Sequence, residues 1–315
     1  GSNRVICVAS NVSPRIVNLT IAGGSGRRGG GILNAGGRLQ LEGVLLQDHT
    51  ASYEAESQTT GAAAGGGLFN QGGTVAATNC TFAGNLARQQ ASSSTDPSRT
   101  RGGALANEGG TVSLHGCFFV SNSVTGAPGP FNIRGTAHEA SGGAIANAGT
   151  LVAQHCNFIA NSASGEVGGG IAGAGGAANG GALGNWGELK LNQCAFLSNS
   201  VTGGRGGDGA SGMPYTPPGD GGPGGVGGSA NGGALFNAGV AVVADCSFTG
   251  NRGHGGAGGP GGAGYPNMYP HGGAGGSGGP GGQGGRAGGA ICDLNALCLL
   301  TNCVVMYNAS IGGEG

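Results

Sequence analysis

Fourteen carboxylates, six histidines and nine cysteines are the residues of this 315-residue chain that could do chemistry. Their spacing decides which chemistry is open. A polysaccharide lyase or hydrolase needs carboxylates held together for acid–base work, usually with a basic partner. Glu42, Glu108, Glu188 and Asp245 fall at different positions of a repeated pattern, so they are not expected to converge. Asp208 and Asp220 could approach one another across a glycine-rich stretch, but acids among glycines are ordinarily turn residues. A metal centre needs His, Cys or carboxylate at ligand spacing. His115 and His155 precede a repeated cysteine by two positions and by one, so they are not expected to share a geometry. His254 and His271 have no Cys or carboxylate at ligand spacing. Matches to GxGxxG carry no weight where 79 residues are glycine and no βαβ context exists. No catalytic residue, metal site or cofactor is read.

The cysteines have a structural reading. Cys80, Cys117, Cys156, Cys194, Cys246 and Cys303 each stand two residues before an aromatic or aliphatic position. That spacing suits small, inward-facing hydrophobes. Parallel side chains on neighbouring strands do not point at each other as a disulfide requires. The six are expected to be buried free thiols. Cys292 and Cys298 flank a turn and could bridge, and Cys7 has no evident partner.

What positions these residues is a repeat. The pattern G-G-[AG]-[ILV]-x-N-x-G, alternating apolar residues, then C-x-F-x-x-N begins at Gly65, Gly102, Gly142, Gly180 and Gly232, with degenerate copies at Gly29 and Gly288. Each copy is too short to bury a core alone, and such units stack as solenoids. Alternation with period two means strand. Three strands per unit are expected, such as GGALF, VAVVA and CSFTG in the sixth. Stacked in register at about 4.8 Å, they predict an all-β parallel β-helix of about eight turns, of the right-handed form. Inward columns would run Ile32, Leu68, Leu105, Ile145, Leu183, Leu235, Ile291 and Leu46, Phe82, Phe119, Phe158, Phe196, Phe248, Val305. Two polar columns would mark turns. One is Asn34, Asn70, Asn107, Asn147, Asn185, Asn237 and Asp293; the other is His49, Asn85, Asn122, Asn161, Asn199, Asn251 and Asn308. Stacked amides donate and accept along such a ladder.

The paired GGA[IL] and FxxN signatures over 102–122, 142–161, 180–199 and 232–251 resemble the repeats of chlamydial-type polymorphic outer membrane proteins and of secreted right-handed β-helix proteins. The resemblance covers the repeat cores, roughly half the chain. It implies surface display and adhesion.

Every unit is interrupted after its second Asn, at 50–64, 86–101, 123–141, 162–179, 200–231 and 252–287, so one domain carries all insertions along one edge. The last two are written mostly in GGX triplets around different tips, which hold Tyr215 in one and Tyr265, Met268, Tyr269 and His271 in the other. A flexible linker is the plain reading. A three-residue period also suits polyglycine II, a threefold extended helix. One such hairpin does not repay its ordering entropy alone. Several, stacked on a rigid solenoid, share glycine faces.

A net charge of −1 gives no electrostatic footprint for nucleic acid. No apolar run approaches the roughly 18 residues of a membrane span, and no secretory leader is read at Gly1. No capping helix is read before Val5 or after Asn308. Either a flanking domain is missing from this sequence, or the ends meet another copy, head to tail, in a filament. The expected function is a non-catalytic extracellular or cell-surface structural protein, a fibre or scaffold subunit. The alternatives are an adhesin that uses the tips to bind a cell-surface glycan or protein, and a β-helix carbohydrate-active enzyme.

Overall fold

The computed structural model describes residues 3–53, 62–90, 99–129, 135–212, 220–264, 283–294 and 296–315. Among them there is no helix, and four eight-stranded parallel sheets wind as a parallel β-helix of eight turns. Turn six shows the plan. Its strands are Leu183–Asn185, Glu188–Asn192, Ala195–Leu197 and Ser200–Thr202, one in each sheet. The turn before supplies Ile145–Asn147, Thr150–Gln154, Asn157–Ile159 and Ser162–Ser164 in matching register.

There are thus four strands per turn, not the three expected. The fourth is formed by the residues right after the second Asn, such as Ser123–Thr125 and Arg252–His254. A short fifth ladder joins Thr100–Arg101, Ala140–Ser141, Ala178–Asn179 and Ala230–Asn231, at the other end of each insertion. Between the fourth and fifth sheets lies a small core of Ala51, Ala87, Val124, Ala163 and Val201 against Ala140, Ala178 and Ala230.

The main core fills the coil. Phe82, Phe119, Phe158, Phe196 and Phe248 stack face to face, with ring centres 4.6–4.9 Å apart. The rung spacing of about 4.8 Å imposes that distance. The recurrent glycine pair has a steric cause. Gly102 has φ +60°, a left-handed conformation that disfavours side chains, and a Cβ on Gly103 would strike the backbone oxygens of Gly143 and Ser123.

The glycine-rich segments continue this order outside the coil. Gly203, Gly206, Gly209 and Gly212 donate to the carbonyls of His254, Ala257, Pro260 and Ala263 in the next turn. Gly204 and Gly207 donate to Gly176 and Gly173, and Gly228 and Gly225 donate back to Gly204 and Gly207. Gly256, Gly259 and Gly262 then donate to Gly228, Gly225 and Gly222. Donors recur every three residues. Burial follows the same period: Thr202, Arg205 and Asp208 are exposed, and the glycine pairs between them are buried.

Candidate functional site

The two asparagine columns form continuous ladders. Asn34, Asn70, Asn107, Asn147 and Asn185 each donate a side-chain amide to the next member's oxygen at 2.8 Å, and Asn237 donates to Asp293 at 2.7 Å. In the second ladder Asn85, Asn122, Asn161, Asn199 and Asn251 donate to the next member at 2.9–3.0 Å, ending on Asn308. Each amide also reaches a carbonyl two turns from its acceptor, as Asn161 does at Phe119. His49 stands at the head. Its Nδ1 accepts from the Gly24 N–H at 2.9 Å, so Nε2 carries the proton it donates to Ile21 O at 2.9 Å. Burial lowers its pKa, against those two backbone bonds.

The cysteine column is also in place. Cys80, Cys117, Cys156, Cys194 and Cys246 are buried free thiols. Cys303 is free but only half-buried, a departure from the expected six, and it stands on the last described turn. The thiol of Cys117 is pushed up to about 12 by its bond with Cys156 and by burial. Cys246 is shifted the other way, by a bond from Cys194. Cys292 and Cys298, which could have bridged, are both free, as is Cys7.

Three of the described carboxylates have separate partners. Glu42 pairs with Arg15 at 2.5 Å, Asp208 with Arg205 at 2.8 Å, and Asp245 accepts from Asn302 at 2.5 Å. Among the described residues, no three His, Cys, Asp or Glu side chains converge as metal ligands. One expectation is corrected. His115 and His155 do meet, edge to face, with ring centres 5.2 Å apart. His115 ends a strand, whereas His155 occupies the left-handed corner at φ +53° that Gly116 fills one turn earlier. The corner swings His155 back over its neighbour. The tip residues Tyr215, Tyr265, Met268, Tyr269 and His271 lie outside the described residues.

A notch on the outer face of the first sheet was not foreseen. It is a shallow dent between Trp186, Arg101 and Glu108, with Ala106, Asn107, Ala146, Asn147 and Ala148 beneath. Three turns build it. Turn four supplies Arg101, Ala106, Asn107 and Glu108; turn five supplies Ala146, Asn147 and Ala148; turn six raises Trp186, the chain's one tryptophan. The indole leans on Gly184, where a Cβ would come within 2.8 Å of the ring, and touches Phe236 at 5.6 Å between ring centres. The Arg101 guanidinium lies 5.9 Å from the indole centre and 3.8 Å from Glu108, which is 3.9 Å from Arg28. Arg101 Nε is buried and has no hydrogen-bond partner among the described residues.

Fold and side chains define a parallel β-helix protein with amide, thiol and phenyl columns. No protein-family model, characterised protein or solved structure matches the chain. The resemblance to outer membrane protein repeats therefore rests on the motifs alone. No helix among the described residues is long and apolar enough to cross a membrane.

Proposed function

We propose that this protein is a non-catalytic scaffold subunit of the extracellular space or cell surface. The observation that carries the reading is the glycine layer. Its three-residue period of donors, repeated across consecutive turns, is the bonding expected of packed polyglycine II segments. Such a layer braces long glycine-rich arms against a stiff coil. Structural order spent this way suits display and mechanical continuity. The polymorphic-protein-like motifs support the same surface role.

Head-to-tail growth is part of the proposal. The first and last described turns each place one strand in all four sheets, the cross-section that a second copy would need to extend the ladders. The first turn holds Arg4, Arg15, Arg27 and Arg28 and no acid. After Gly288 the chain holds Asp293 and Glu314 and no Lys or Arg. Val305, in the phenylalanine column, is 51% exposed. Opposite charge steers such ends together, and burial then holds them. A head-to-tail contact does not close, so it builds a filament.

Immunogold labelling of native cells, with electron microscopy of the labelled material, tests both parts. Gold along surface fibres with an axial repeat near ~40 Å, from eight rungs of about 4.8 Å, is the expected result. Gold confined to the cytosol would refute the surface role. Surface gold on isolated particles would refute only the filament and leave the tip-borne adhesin as the surviving form.

A further inference from the structure

We propose that His115 and His155 together bind a zinc-class divalent cation on the outer face of the second sheet. This goes beyond the scaffold reading and does not depend on it. Distance carries the argument. A metal about 2.0–2.1 Å from an imidazole nitrogen lies about 3.2 Å from the ring centre, so two imidazoles on one tetrahedral ion have centres about 5.2 Å apart. The two ring centres stand 5.2 Å apart. Their planes cross at 78°, and both residues are exposed. The ring torsion of histidine is broad, so one nitrogen of each can turn to a common point on the solvent side. The backbone holds both ligands in place. His115 ends the strand Thr111–His115. His155 follows the next turn's strand, Thr150–Gln154, and its N–H donates to Asn192 O at 3.1 Å. Ligands on rigid elements bind without a further ordering cost. The surroundings select the metal. Thr78 and Gln154 flank His115 in register, and Gln193 takes the left-handed corner after His155. None of the three carries charge. Along these two columns the first carboxylates, Glu42 and Asp245, are each two turns away. A nitrogen pair suits zinc, copper or nickel, whereas magnesium and calcium require oxygen ligands. No third His, Cys or carboxylate converges here among the described residues. The site is therefore open and exchangeable, unlike a structural zinc site with four protein ligands.

Calorimetry of the full chain with zinc chloride, and with magnesium chloride as the hard-cation match, tests the proposal. The expected result is a saturable zinc isotherm that EDTA reverses, and none with magnesium. In proton–carbon correlation spectra the imidazole signals of His115 and His155 should move together as zinc is added. His115→Gln and His155→Asn, made singly, should each weaken zinc binding at least about tenfold, the lower bound for losing even an outer-shell partner. Asparagine suits the left-handed corner, and Asn79 already occupies it two turns earlier. Equal thermal transitions check that folding is kept, and His155→Gly, the residue type of Gly116, replaces a variant that fails. His254→Gln and Cys7→Ser remove exposed donors elsewhere and should leave the isotherm unchanged. Absence of zinc binding overturns the proposal. So does an equal isotherm with magnesium, and so does binding that survives the loss of either histidine or that falls instead with His254 or Cys7.

Discussion

Asn161 Oδ1 accepts two hydrogen bonds from Asn122, one from the side-chain amide and one from the backbone N–H, both at 3.0 Å. The Asn161 amide in turn donates to Phe119 O at 2.9 Å and to Asn199 at 3.0 Å. A single side chain thus satisfies buried groups on neighbouring turns in both directions. Asn161→Ala removes all four bonds and should cost about 3–5 kcal/mol, from several orphaned polar groups at about 1–3 kcal/mol each. Asn161→Asp keeps the acceptor but loses the donor and buries charge, so it should be no milder. Urea unfolding measures both. A loss below about 1 kcal/mol for the alanine variant would mean that the ladder adds little to the stability of the coil.

His49 makes the coil sensitive to acid. Its folded pKa is lowered by burial. The unfolded chain therefore binds a proton that the folded chain does not, and stability falls as pH drops below about 6.5 toward the folded value. Above that range its contribution is fully present. Protonation of Nδ1 would also set two donors, Nδ1–H and the Gly24 N–H, against each other. His49→Asn restores the residue used at Asn85 and every later turn, with an amide for Ile21 O and an oxygen for Gly24. Denaturant midpoints between pH 7.5 and 5 should fall for the parent and flatten for the variant. Identical slopes would remove His49 as the cause.

The buried thiols should be inert while the chain is folded. Thiolate is the reactive form, and Cys117, held at about 12, forms almost none near neutrality. A maleimide pulse on native protein should label Cys7, which is exposed, and leave Cys80, Cys117 and Cys156 unmodified. In denaturant without reductant, all nine cysteines should react. Cys156→Ala should cost about 1–2 kcal/mol as a small cavity. Rapid native labelling of the column, or missing thiols after denaturation, would contradict the packing.

Most of the coil was legible because one residue type recurs at one position. Asn, Cys and Phe columns declare both register and inward direction. The fourth strand does not declare itself. It has two to four residues, and its buried position varies among Ala51, Ala87, Val124, Ala163, Val201 and Gly253, with no fixed type to align. The His115–His155 contact depends on a corner conformation that Gly116 and His155 share but that their types do not advertise. The notch is harder still. Ala106, Ala146 and Gly184 look like ordinary small residues, and only stacking shows that Arg101 and Trp186 rise around the first two while the indole leans on the third. An isolated tryptophan next to Asn185 was the one available signal. The spacing of GGX triplets was visible, but the pairing of arms from successive turns needed three dimensions.

That pairing makes the last prediction sharp. Gly256 donates to Gly228 O at 2.9 Å and accepts from Gly285 N at 2.7 Å, and a Cβ there would strike Gly204 O. Neighbouring Ala257 is the triplet's third residue, half-buried, and accepts from Gly206 through its backbone carbonyl alone. Gly256→Ala should therefore disrupt the layer, while Ala257→Ser should be close to neutral. Hydrogen exchange reads the difference residue by residue. In the parent, Gly203, Gly204, Gly206 and Gly207 should be protected, with Arg205 and Asp208 faster, which gives two slow amides followed by one fast. In Gly256→Ala that pattern should vanish from 203–209, while amides of Phe119 and Phe158 in the coil stay slow. Uniformly fast exchange across 203–209 in the parent would show that the arms are flexible linkers.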